Sequence, residues 1–257
     1  MRFAVIKKKS LILGVAAVIS LALVFTAVWS TGAYVVQAGK SPGKLPVYCV
    51  DREDGKVAIT FDASWGAERT DGIVNTVLEH KVKATFFTVN LWAEKYPEKL
   101  KMIADSGAFE IGLHSATHPH MTKLNRTKIK QELESNFAAV ERIAGVKAKL
   151  FRAPFGEYND AVIEEADSLG LKTIQWDVDS LDWKDLSSGE IAGRIVSQAK
   201  SGSIILMHND GKHTLEALPA VIEGLLNKGF ELVTVSELIY QDGYNIDHTG
   251  KQIKINT

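Results

Sequence analysis

His114 and His118, in the stretch HSATHPH, have a spacing at which two neutral imidazoles can share one divalent metal of the zinc type. Two histidines do not complete such a site, because catalytic zinc normally keeps three protein ligands and a water. His120, after Pro119, is a substitute ligand or a surface histidine. Other ionisable residues recur in the same setting. Asp62 follows VAITF, Arg152 lies in FRAPFG, Asp177, Asp179 and Asp182 lie in WDVDSLDW, and His208 ends IILMH. Any one of them alone reads as a polar residue satisfied at the end of a strand. Five such stretches, each entered from apolar residues, point instead to an active site.

The elements that must position these residues alternate in type. Val57–Phe61, Ala84–Val89, Glu110–Leu113, Lys149–Phe151, Leu171–Trp176, Ser203–Met207 and Phe230–Val235 read as strands. Between them Thr70–His80, Trp92–Asp105, Lys128–Ile143, Asp160–Leu169, Gly189–Lys200 and Leu215–Lys228 read as helices. The clearest is 128–143, where Ile129, Leu133, Phe137, Val140 and Ile143 recur at spacings of three and four before Gly145. This alternation predicts parallel strands with helical crossovers, a class whose sites form at the C-terminal strand ends. A barrel and an open doubly wound sheet both satisfy it. Neither GxGxxG nor GxxxxGK[ST] occurs, and no internal repeat stands out.

The chain has 257 residues, 46% hydrophobic and 24% charged, with a formal net charge of -1. That is globular composition with no basic surplus for nucleic acid. A single cysteine, Cys49, excludes an intramolecular disulfide and a cysteine-based metal cluster. Arg2, Lys7, Lys8 and Lys9 precede an apolar run from Leu11 to Trp29. About 19 residues at about 1.5 Å each approach the hydrocarbon thickness of a bilayer. The lysines place the N-terminus in the cytoplasm and the bulk of the chain outside. Residues 1–36 are therefore expected to be a single-pass membrane anchor. The alternative is a secretory signal cleaved late, near Val36-Gln37-Ala38. Residues 37–53 read as a linker, 54–240 as the folded domain, and 241–257 as a polar, peripheral tail.

Taken in order, TFD, HSATH, RAPFG, DSLDW and LMH resemble the motif series of the polysaccharide deacetylases, carbohydrate esterase family 4, which carry the NodB-homology domain. The resemblance covers about Asp54 to Tyr240. With the anchor, the linker and TFDASWG, it is similar to the sporulation-type branch of that family. It implies an α/β fold, a distorted (β/α) barrel. It also implies metal-dependent removal of N-acetyl groups from amino sugars of cell-wall or spore peptidoglycan, with zinc as the metal. Residue by residue, it implies that Asp62 is the general base, paired with Arg152, and that His114 and His118 hold the metal. The backbone N–H of Phe155, after Pro154, is the implied oxyanion donor. His208 is the implied general acid, with Asp179 as its acidic partner. Leu206 is the implied wall for the acetyl methyl, and Asp182 and Trp183 are implied wall and support.

One position departs from the family pattern. TFDD would supply a third metal ligand where this chain has Ala63. The cation then rests on two histidines and waters, or another group such as Asp62 moves in, or the site holds little metal. The competing reading is a weak or inactive module of the same fold that binds amino-sugar polymer. A structural envelope protein is a third reading, which no residue specifically supports.

Overall fold

The computed structural model describes residues 43–255. The expected membrane segment, 1–36, lies outside the described residues. Among those described, no helix is long and apolar enough to cross a membrane.

Eight parallel strands form the main sheet: β2 (Lys56–Ala63), β3 (Ala84–Thr88), β4 (Phe109–Leu113), β5 (Leu150–Phe151), β6 (Lys172–Thr173), β7 (Val178–Asp179), β8 (Ile204–His208) and β9 (Glu231–Leu232). The order is β6-β5-β4-β3-β2-β8-β7, with β9 paired to the start of β2. The edge strands β6 and β7 do not pair with one another, so the sheet is a curled half-barrel rather than a closed barrel. The curl is visible in one contact. Arg152, just beyond β5, touches Asp62 on β2 although β3 and β4 lie between them. In a flat sheet three strand spacings would separate them by roughly 14 Å.

The predicted helices form, with one break. α1 (Thr70–Glu79), α4 (Arg126–Ala144), α5 (Asp160–Ser168), α6 (Ser188–Gln198) and α7 (Thr214–Asn227) follow the expected segments. The expected helix over 92–105 is instead two, α2 (Asn90–Lys95) and α3 (Pro97–Asp105). Pro97 cannot donate the hydrogen bond that would continue α2, so it opens the next helix. Phe230–Val235 is shorter as a strand than expected. Thr234 accepts from the Glu237 N–H and caps α8 (Val235–Leu238).

The helices cover one face of the sheet with a core that contains Phe61, Phe86, Trp92, Leu113, Leu133 and Phe151. Ala58, Phe87, Leu150, Ile174 and Ile204 cluster separately with Val47, Val50, Val233 and Leu238. The ends of the domain thus supply apolar residues to that second cluster. β1 (Cys49–Val50) pairs with β11 (Lys251–Lys254), which pairs with β10 (Tyr244–Ile246). Gln252 is fully buried, accepting from the Tyr240 N–H and donating to the Tyr240 carbonyl. Stretches expected as linker and peripheral tail are therefore partly structural.

Candidate active site

The C-terminal ends of the parallel strands gather most of the expected residues. β2 and β8 are neighbours in register, with Asp62 opposite His208. Asp62 is buried, and its Oδ1 accepts from Arg152 Nη1 at 2.7 Å. The Arg152 guanidinium is itself fully buried. It also donates to Thr60 Oγ1 and to the Gln175 carbonyl, and lies 4.2 Å from the Phe87 ring centroid. Burial works hardest against ionisation of Asp62, but the neighbouring Arg152 charge, with the protonated His208 and the hydrogen bond from Arg152, overcomes it. The carboxyl is held below the usual range, in the proton-accepting form.

His114 follows β4. Its Nδ1 donates to the Arg152 carbonyl at 2.8 Å, which leaves Nε2 with the lone pair, 3.6 Å from Asp62 Oδ2. Burial lowers its pKa. His118 lies beside it, with ring centroids 5.0 Å apart. Burial, followed by the neighbouring His114, pushes His118 down to about 4. Both imidazoles are thus neutral at physiological pH, as metal ligands must be. Glu132 on α4 fixes the connecting loop by accepting from the Ala116 and Thr117 N–H groups and the Thr117 hydroxyl.

The fit to a metal is incomplete. Ala63 contributes no donor. β2 runs unbroken through Ala63, which pairs with Thr88. Alternation along the strand puts its methyl on the face of Phe61, in the helix-covered core, away from the Asp62 side chain. Among the described residues no group of three or more His, Cys, Asp or Glu converges to hold a metal ion. The donors do not complete the three-ligand set of a catalytic zinc.

On the other side of Asp62, the partner of His208 differs from the one expected. It is Asp182, not Asp179. Asp182 Oδ1 accepts from His208 Nδ1 at 2.7 Å, and its Oδ2 accepts from the His208 N–H and the Thr214 hydroxyl. The left-handed Leu181 (φ 55°) precedes Asp182, and Asp182 is almost wholly buried. Gly211 is required nearby, since a Cβ there would stand 2.3 Å from Thr214 Oγ1 and 3.0 Å from Asp182 Oδ2. Burial opposes the charge on His208, but the hydrogen bond and charge of Asp182, with Asp62 and Asp179 behind it, lift it to about 9. Asp179 is buried, one oxygen accepting from the Leu181 N–H and the other without a hydrogen-bond partner, and burial raises its pKa. Asp177 is held away from the site by Ser203 and the Ile204 N–H.

Leu206 is buried on β8, in register with Thr60 and Asp179. Pro154 is buried in a 3-10 turn whose next residue, Phe155, is exposed and left-handed (φ 59°). Trp183 is exposed. His120 pairs with Glu157 at 2.9 Å and stacks on Phe155. Ser115, His118, Phe155 and Leu181 all have positive φ, which concentrates backbone strain in the loops of this end. Sequence reasoning passed over Trp65, whose ring lies 5.6 Å from that of His118. An aromatic residue in the turn after a strand-end carboxylate was the available signal.

The site thus holds an ionised carboxylate and a protonated imidazole on adjacent strands, with two neutral imidazoles alongside. That arrangement can take a proton from one group and deliver one to another.

The polysaccharide deacetylase family model matches residues 50–174. The chain is 34% identical over 187 residues to a peptidoglycan-N-acetylglucosamine deacetylase of Bacillus cereus, covering 71% of this chain and 68% of that one. It is 35% identical over 194 residues to the uncharacterized protein YlxY of Bacillus subtilis, covering 76% of this chain and 60% of YlxY. Among solved structures, a CE4 family pseudoenzyme from Bacillus anthracis superposes with a TM-score of 0.73 at 30% identity, over 82% of this chain and 73% of that one. A mutant of that pseudoenzyme with restored enzymatic activity superposes with a TM-score of 0.73 at 34% identity, over 75% and 70% of the two chains.

Proposed function

The chain belongs to the polysaccharide deacetylase family, and from that membership and the site's geometry we propose that it hydrolyses N-acetyl groups of amino sugars in cell-wall peptidoglycan. The observation that carries this is the juxtaposition of ionised Asp62 and protonated His208 in register on β2 and β8. Asp62 takes the proton of the attacking water, and Arg152 holds it ionised until then. The Phe155 N–H is assigned, from the family resemblance, as the donor to the oxygen that gains charge. His208, held by Asp182, gives its proton to the departing amine. Leu206 bounds the space for the acetyl methyl. No step is assigned to a metal, because the donors stop at His114 and His118. A membrane-held, extracytoplasmic location and a role in sporulation are part of the proposal. The N-terminal lysine-plus-apolar pattern supports the location, and the motif resemblance supports the sporulation role.

A second reading has a specific observation behind it. Ala63 removes a ligand, and the structural neighbours include a CE4 family pseudoenzyme. In that reading the same site binds the polymer without turnover. Acetate release from N-acetylated glycan fragments by wild type and Asp62→Asn separates the two. Hydrolysis requires release by the first and none by the second.

A further inference from the structure

Gln175, just beyond β6, is buried. A buried side-chain amide is costly unless its polar atoms find partners. Its Nε2 donates to the Gly156 carbonyl at 3.1 Å, and its backbone carbonyl accepts from Arg152 Nη2 at 3.1 Å. One residue thus joins the turn that carries Phe155 to the guanidinium that holds Asp62. The stretch before β1 places Gln175 in its turn. The Gln175 N–H donates to the Val47 carbonyl at 2.7 Å, and the Val47 N–H donates to the Thr173 carbonyl at 2.9 Å.

The Phe155 turn needs a hold from outside. Phe155 and Gly156 have successive positive φ values, 59° and 68°. Glycine takes that conformation freely and phenylalanine does not. Such strain persists where the surroundings over-determine it. Two bonds lie within the turn, from the Gly156 N–H to the Ala153 carbonyl and from the Glu157 N–H to the Pro154 carbonyl. The Gln175 bond comes instead from the end of the neighbouring strand. The next residue, Trp176, packs so closely that a Cβ on Gly156 would stand 2.9 Å from its Cη2.

We infer that Gln175 is a positioning residue, whose side chain fixes the Phe155 turn and with it the Phe155 N–H. This rests on the deacetylase reading of the site. An oxygen gains charge only as the transition state forms, so a displaced donor slows the chemical step and leaves substrate binding nearly unchanged. The bond to Arg152 uses the Gln175 backbone and survives a change of side chain, so Asp62 keeps its ionisation.

Gln175→Met, which keeps the shape and removes the donor, tests this in the full chain. Acetate release from N-acetylated glycan fragments should show kcat down about tenfold to a hundredfold, with KM within about twofold. The acid limb of kcat/KM should stay where wild type has it. Amide exchange at 155–157 should be about tenfold faster, with β2 and β8 still protected. Gln175→Asn keeps a buried amide but falls one methylene short, and should show the same split where the apolar variant fails to fold. Wild-type kcat, a loss carried by KM, or a displaced acid limb overturns the positioning role. Unchanged exchange at 155–157 overturns the hold on the turn. A wild type that releases no acetate overturns the deacetylase reading and the role of Gln175 with it. That failure is recognisable because it precedes any substitution.

Discussion

Arg152 Nη1 stands 2.7 Å from Asp62 Oδ1, with both side chains buried. The pair holds the Asp62 carboxyl ionised and ties the end of β5 to β2 across the concave sheet. Arg152→Met leaves the carboxylate buried and unpaired, a loss of about 3–5 kcal/mol. Adding Asp62→Leu should recover much of it. Urea midpoints of the three proteins give the comparison, and a single variant costing less than about 1 kcal/mol would mean the pair is not as desolvated as the structure has it. Because the folded Asp62 titrates below its unfolded value, its contribution is present above about pH 4 and lost as pH falls toward the folded value.

His208 behaves in the opposite sense. Its folded pKa, about 9, lies above the ordinary value of about 6.5. Its stabilisation is complete below about pH 6.5 and disappears as pH rises through about 9. In its proposed role of general acid it should set the alkaline limb of the activity profile. Asp182→Asn should move that limb to lower pH, followed by ring titration in NMR and by kcat/KM against pH. A limb that stays in place would remove Asp182 from its role.

Which of these features could be read from sequence follows from their range. The strand and helix segments were legible because apolar periodicity and Gly or Pro stops are local. Asp62, Arg152, His114, His118 and His208 were legible because each stands at, or within a few residues of, the end of an apolar strand. The choice between Asp179 and Asp182 was not, since both are acids three residues apart. The left-handed Leu181 and the close approach of Gly211 accompany the choice, and both are backbone facts. The closing strands β10 and β11 were missed because YNI and KQIK carry little local strand signal. β11 forms by pairing with Cys49–Val50, about two hundred residues away, and β10 forms by pairing with β11.

Glu132 was invisible for a similar reason. On α4 it reads as one more exposed acid, yet it holds Ala116 and Thr117 at the neck of the histidine loop. Glu132→Ala should speed amide exchange at 116 and 117 by about tenfold while leaving global stability within about 1 kcal/mol. Unchanged protection would show that the loop is held by something else.

Ala63→Asp places a carboxyl on the apolar face of β2, beside the buried Thr88 hydroxyl that lacks a partner. Without a cation it should cost about 1–3 kcal/mol. With zinc, the chain can turn at Ser64 to bring the carboxylate toward His114 and His118, so zinc should raise the Tm of the variant more than that of wild type. An equal zinc response in both proteins would mean residue 63 does not reach the imidazole pair.

Acetate released from N-acetylated peptidoglycan fragments tests the central claim most directly, measured per mole of purified protein alongside glycan binding. The account predicts release by wild type and none by Asp62→Asn, with glycan binding kept by both. Binding without release from wild type, or equal release from both proteins, contradicts it.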